Sequence, residues 1–204
     1  MARTRAADYD AQRDRILELA VEAFARIGYP SASMASLAKA CGTSKARLYH
    51  YYPSKDAILF DAMDRHTRRL AKVVLAVRSL GLPPGDELAQ IVRALMREYR
   101  SAGAWHASLL NDVRFLEPAR REIIVDQQRI VVDAIRATIA RAYPQRPAAS
   151  LKPLTMALLG MINFTFAWLR PDGPMSYEQF AEMAIGLWRH GLQGEAPPEI
   201  SGAT

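Results

Sequence analysis

The segment from Cys41 to Lys55 limits the folds open to this 204-residue chain more than any other. Gly42 tolerates the positive φ that ends a helix, and Thr43 or Ser44 offers a hydroxyl to cap the next one. Pro53 stops that second helix. Between the two stops, Leu48 and Tyr52 are four residues apart and fall on one face of a helix. Lys45, Arg47, Tyr49, His50 and Tyr51 are left to face outward, so the exposed side is basic and aromatic.

The preceding segment completes a pair. Ser33 is a suitable N-cap, and Met34, Leu37, Ala38 and Cys41 repeat at helical spacing. Two short helices joined by a glycine turn, the second of them basic, form a helix-turn-helix unit. Ile16, Leu19, Ala20, Ala23, Phe24 and Ile27 line a third helix that ends at Gly28 and Pro30.

Charge supports a nucleic-acid partner. The net charge is +6, and from Ala23 to Lys55 the basic residues are Arg26, Lys39, Lys45, Arg47 and Lys55, with no acid among them. Such a surface neutralises phosphates and releases their counterions. In this reading Lys45, Arg47, Tyr49, His50 and Tyr51 touch DNA, while Ser33, Ser44 and Lys55 position its backbone. Arg47 and Lys45 are the candidate base readers, since both donate to guanine O6 and N7.

These positions carry a family resemblance. Phe24, Gly28, Tyr29, Ser33, Gly42, Ser44, Lys45, Leu48, Tyr49, Tyr51, Tyr52, Ser54, Lys55 and Asp56 follow the pattern of the DNA-binding domain of tetracycline-repressor-like (TetR) transcriptional regulators. The resemblance runs from about Arg13 to Met63. Arg47 departs from it, standing where small residues are common. What the resemblance implies is a repressor of a double-stranded DNA operator, released when a small molecule binds.

Beyond Lys55 the chain reads as helical throughout. A helix capped by Ser54 is expected to run to about Ser79, one from Asp86 to about Ala102, a short one over Trp105–Asn111, and one from Pro118 to Tyr143. Pro144 to Pro153 reads as a break or a ragged helix start, followed by an apolar helix to Leu169 and a last helix opened by Ser176. The expected fold is therefore all-α with about nine helices. It divides into a helix-turn-helix domain over 1–53, a ligand-binding and dimerisation domain over 54–194, and a flexible tail over 195–204.

The helix Leu154–Leu169 is apolar nearly all round and has to be covered on several sides. A homodimer is expected through it and the last helix, with Leu158, Met161, Ile162, Phe166, Met183, Leu187 and Trp188 at the interface. Two-fold symmetry suits a palindromic operator.

Polar groups set into apolar stripes are candidates for ligand contact. Gln127 and Asn163 are such groups, and Trp105, Phe115, Phe164 and Trp168 are candidate apolar walls. The stretches Gly160–Phe164 and Trp168–Ser176 are similar to the C-terminal part of acyl-CoA-responsive members of the same family. That similarity implies an acyl-CoA effector, for whose phosphates Arg93, Arg97, Arg100, Arg114, Arg120 and Arg121 are candidates.

The four histidines, His50, His66, His106 and His190, are scattered, and no HExxH, CxxC or G-x-S-x-G is present. An enzyme is therefore not expected, nor a metal or cofactor. An effector-independent DNA-packaging protein shares the basic reader and stays open. The single cysteine and the polar start, without the apolar core of a signal peptide, lead to an expectation of the cytoplasm, and no segment reads as a membrane span.

Overall fold

The computed structural model describes residues 2–170 and 172–193. Among them are α1 (Ala2–Ile27), α2 (Met34–Ala40), α3 (Lys45–Tyr51), α4 (Lys55–Arg78), α5 (Pro84–Ser101), α6 (Gly103–Asp112), α7 (Pro118–Ala142), α8 (Ala148–Asn163) and α9 (Tyr177–Gln193). Two 3₁₀ turns, Val113–Phe115 and Phe164–Ala167, follow α6 and α8, and no strand occurs among the described residues. The expected tail over 195–204 lies outside the described residues.

The chain clusters into two compact units. One comprises the residues up to Ala71 together with Ala102–Arg129; the other comprises Lys72–Ser101 together with the residues from Ile130 onward. The α4 and α7 helices contribute to both.

In the first unit, α1 packs on α2 and α6, and α2 packs on α3. Its core is made of Ile16, Leu17, Ala20, Val21, Phe24, Leu37, Leu48, Ile58, Leu59 and Met63, all fully or almost fully buried. Burying each of these side chains other than that of Ala20 stabilises the unit by about 1.5–3 kcal/mol. The expected stripe of α1 holds at Ile16, Ala20, Ala23 and Phe24, but Ile27 is exposed and Leu17 and Val21 lie inside. The helix also begins far upstream of Ile16, in a polar stretch that has no apolar period.

In the second unit, α9 packs on α5 and α8. The α5 helix starts with Pro84 at its first position, where a missing N–H costs nothing. It buries Leu88, Ile91, Val92, Leu95, Met96 and Tyr99, recurring at three and four residues. Glu87, 1% exposed, is held by Arg141 Nη2 at 2.5 Å, Arg78 Nε at 3.5 Å and the Thr138 hydroxyl at 2.6 Å. A buried carboxylate requires such partners.

The α8 helix starts at Ala148, five residues before Pro153 and inside the stretch that reads as a break or a ragged helix start. Pro153 lacks an N–H for the helical ladder, yet the turn continues and Thr155 Oγ1 donates to Leu151 O at 2.8 Å. At Asn163 the helix passes into the 3₁₀ turn, so the expected run to Leu169 is two elements.

Candidate nucleic-acid interface

The outward helix α3 is held in place from both ends. Gly42, at φ +61°, terminates α2; its N–H reaches Lys39 O at 3.2 Å and the Thr43 N–H reaches Ala38 O at 2.9 Å. This is a Schellman ending, which closes a helix with a left-handed glycine. Ser44 Oγ then accepts from Arg47 N at 3.1 Å and starts α3. Ser33 performs the same task for α2, with a capping box in which Ser36 N donates to Ser33 Oγ at 3.1 Å and Ser33 N donates to Ser36 Oγ at 2.8 Å.

Leu48 of α3 and Tyr52, which caps its C-terminus, are buried. The Tyr52 hydroxyl donates to Asp61 Oδ2 at 2.7 Å, and the Arg13 guanidinium lies 5.2 Å from the Tyr52 ring centroid. Burial, reinforced by the bond to Asp61, holds the Tyr52 phenol protonated well above its ordinary range. Asp61 is neutralised by Arg13 at 2.8 Å and Arg65 at 2.9 Å, so it does not oppose an anion arriving at α3.

Lys45, Arg47, Tyr49 and His50 are exposed, as the sequence reading expects. Lys45 Nζ stands 5.9 Å from the centroid of Tyr49, and Arg47 has no carboxylate partner among the described residues. Tyr51 is half-buried, because Tyr9 of α1 lies on it with ring centroids 4.7 Å apart. Tyr9 also meets His50 edge-on at 5.7 Å. An open groove of about 640 Å³ on this side is lined by Asp8, Tyr9, Ala11, Gln12, Arg15, Arg47 and Tyr51. Tyr9, Gln12 and Arg15 were not anticipated, since nothing in their polar surroundings marks a face.

Lys55 requires a correction. Its ammonium donates to Tyr29 O at 3.0 Å, Pro30 O at 3.3 Å and Ala32 O at 2.9 Å, and lies 4.5 Å from the Tyr29 ring centroid. Three donors meet three carbonyls, which leaves none for a phosphate. Lys55 locks the loop between α1 and α2.

The expected ligand residues divide between the two units: Trp105, Phe115 and Gln127 belong to the first, Asn163, Phe164 and Trp168 to the second. Gln127 is already satisfied, with Nε2 donating to Asp64 Oδ1 at 2.6 Å and Oε1 accepting from Thr67. Asn163 Oδ1 accepts from the Tyr99 hydroxyl at 2.8 Å. Phe115 stacks on Tyr29, Trp105 is half-buried, and Phe164 and Trp168 are 62% and 47% exposed. A small, partly open pocket of about 10 Å³ in the second unit is lined instead by Leu88, Ala89, Val92, Tyr143, Leu158, Ile185 and Trp188, with Gly85 and Arg189, which is room for about one water molecule.

The arginine row is largely committed. Arg93 binds Glu182 at 2.5 Å and Arg100 binds Glu178 at 2.6 Å. Arg120 pairs with Asp56, and Arg114 lies over the Phe115 ring. Arg97 and Arg121 are exposed without carboxylate partners among the described residues.

Three interface expectations are also corrected. Leu158, Ile162 and Trp188 are buried inside their own unit and are unavailable to a partner. Met161 and Phe166 are half-buried, while Met183 and Leu187 are exposed. The free apolar surface of α8 is the opposite one, carrying Met156, Ala157 and Gly160 and continued by Phe164 at the start of the 3₁₀ turn.

Among the described residues no helix is long and apolar enough to cross a membrane. A family model described as "Bacterial regulatory proteins, tetR family" matches residues 16–62, and one described as "Tetracyclin repressor-like, C-terminal domain" matches residues 81–192. An uncharacterized HTH-type transcriptional regulator of Mycobacterium tuberculosis is 29% identical over 114 residues, covering 54% of this chain and 56% of the relative. The match thus spans about half the length of that curated relative. The crystal structure of a TetR-family transcriptional regulator from Bordetella parapertussis superposes with a TM-score of 0.83 at 32% identity, covering 86% of this chain and 93% of the other. That of AibR in complex with isovaleryl coenzyme A and operator DNA superposes with a TM-score of 0.78 at 26% identity, covering 86% and 97%.

Proposed function

Because the chain belongs to the tetR family of bacterial regulatory proteins, we propose that it is a sequence-specific transcriptional repressor that binds a double-stranded DNA operator as a homodimer in the cytoplasm. The observation that carries this reading is the α3 surface: Lys45, Arg47, Tyr49 and His50 are exposed on a helix whose other side is anchored by buried Leu48 and Tyr52. Arg47 and Lys45 read base edges, and Tyr49, His50 and Tyr51 contact bases or sugars. Ser33 and Ser44 hold the helix starts at which backbone N–H groups meet phosphates. Residues 1–53 are the reader, and residues 54–194 serve sensing and dimerisation.

The dimer forms through α8 and α9. Met156, Phe164, Met183 and Leu187 are between 41% and 62% exposed in the single chain, and water-exposed apolar side chains gathered on neighbouring helices gain by pairing. Two-fold pairing gives two copies of α3 and hence a palindromic operator.

Release by a small molecule completes the reading, with an acyl-CoA as effector. Its support is the likeness to AibR, whose structure is described with isovaleryl coenzyme A, together with Arg97 and Arg121 left unpaired. The ligand acts by preferring the conformation that does not bind DNA; a tenfold release requires about 1.4 kcal/mol of differential affinity. One observation favours a second reading, a DNA binder without effector: Gln127 and Asn163 already have hydrogen-bond partners, and Phe164 and Trp168 lie at the surface.

Selecting bound sequences from a pool of random duplexes tests the reader. A palindromic sequence preferred at matched salt is the expected result, and equal affinity for all sequences would overturn it. Titrating CoA esters and free acids into the selected complex tests release, and no release by any of them would leave the effector-independent binder.

A further inference from the structure

We propose that Tyr9 is a positioning residue for DNA recognition, acting through the recognition-helix side chains His50 and Tyr51. The inference rests on the reader assigned above. Tyr9, His50 and Tyr51 form a closed triangle of rings, with centroids at 4.7 Å for Tyr9 and Tyr51, 5.7 Å for Tyr9 and His50, and 5.3 Å for His50 and Tyr51. The Tyr9–His50 and His50–Tyr51 pairs are edge-on, at 86° and 79°, and Tyr9 lies over Tyr51 at a tilt of 30°. Edge-to-face and offset arrangements are the favoured ones for aromatic pairs.

The physical need for such a brace lies in α3 itself. A helix of seven residues has almost no stability of its own, and its form depends on tertiary contacts. Leu48 and Tyr52 supply those contacts on the inner side. On the outer side of the last turn, the ring contacts to His50 and Tyr51 from outside α3 come, among the described residues, from Tyr9 of α1. Without that ring, both side chains would have to be immobilised when DNA binds, at a cost in entropy; with it, they are ordered beforehand.

Tyr9 acts on α3 and not on the DNA. Asp8 lines the same groove as Tyr9 and Arg47 and has no cationic partner among the described residues. A phosphate entering there would meet its charge. Arg15, also in the groove, is exposed and unpaired among the described residues, so the local field is mixed and offers no clean anion site.

The test compares wild type, Tyr9→Ala and Tyr9→Phe as full chains on the selected operator and on random duplex, at matched salt, with circular dichroism to confirm folding. Tyr9→Ala should lose about tenfold on the operator, as expected from two aromatic pairs, while random DNA is bound within about twofold of wild type. Its base preference should relax at the positions that α3 reads. Tyr9→Phe keeps the ring and should match wild type on both. Tyr9→Leu keeps bulk without a ring and should fall with Tyr9→Ala, which covers the case in which the alanine variant is unfolded. Wild-type behaviour of Tyr9→Ala overturns the proposal, as does a loss in Tyr9→Phe equal to that in Tyr9→Ala, which would mean that the hydroxyl contacts DNA. Equal losses on operator and random DNA overturn it too. If wild type selects no sequence at all, the reader assignment fails and the Tyr9 role falls with it.

Discussion

The ring of Phe115 stacks on that of Tyr29, with centroids 5.4 Å apart and planes 26° from parallel. Tyr29 follows Gly28, whose φ of +78° turns the chain out of α1, and its carbonyl is one of the three held by Lys55. Arg120, near the start of α7, pairs with Asp56 in the first turn of α4. Phe115, in the 3₁₀ turn between α6 and α7, thus grips the loop from which the recognition unit starts. Phe115, expected as a ligand wall, belongs to that grip.

Replacing Phe115 with alanine removes one partly exposed aromatic pair. Denaturant unfolding should show a loss of about 1–2 kcal/mol. Operator affinity without effector should change less than threefold, while release by an active effector should weaken. A fully retained response would place the coupling elsewhere.

Lys55→Met removes three hydrogen bonds to carbonyls but leaves the aliphatic stem. Hydrogen bonds from a charged donor are worth about 1.5–3 kcal/mol, so the variant should unfold at clearly lower denaturant. The slope of log affinity against log salt should stay at the wild-type value. A slope smaller by about one unit would restore Lys55 as a phosphate contact.

Charges introduced on α8 and α9 should separate interface from core. Leu187→Glu, at a 60% exposed position, should give a folded monomer in light scattering with poor operator binding. Ile162→Asp, at a fully buried position, should unfold the chain, since a buried unpaired charge costs several kcal/mol. A dimeric Leu187→Glu would move the interface to another face.

His66 and His106 make an acid-sensitive pair, with His66 Nε2 and His106 Nδ1 3.3 Å apart and both rings buried. Burial, with the charge of Arg69, lowers the His66 pKa to about 4; burial, with His66 beside it, lowers that of His106 to about 3. In the unfolded chain both titrate near 6.5. Stability is therefore complete above about pH 6.5 and declines below it, because the unfolded state takes up protons that the folded state refuses. The decline should approach about 1.4 kcal/mol per pH unit for each histidine until the folded pKa is reached. Unfolding at pH 7.5, 6 and 5 measures this, and His66→Gln should flatten the slope. A wild-type stability unchanged between pH 7.5 and 5 would contradict the assignment.

The recognition unit was legible from the residues because its determinants are local. Gly42 closes α2, Ser33 and Ser44 cap their helices through N–H groups three residues away, and Leu48 with Tyr52 define the inner face. Each of these interactions is completed within a few residues of chain, so the order of side chains is enough to imply it. The phase of α8 was not legible. With Leu154, Leu158, Leu159, Met161 and Ile162 spread around it, apolar periodicity names no face. Packing between α8 and α9 decides that Leu158 and Ile162 go inside and that Met156 and Phe164 stay out. Lys55, Gln127 and Tyr9 share that dependence: their partners lie 23 to 26, 60 to 63 and about 40 residues away along the chain. Whether a polar group is bonded or free, and whether a ring is braced or loose, is settled by which distant segments meet, because hydrogen bonds and ring contacts act only over a few ångströms of space.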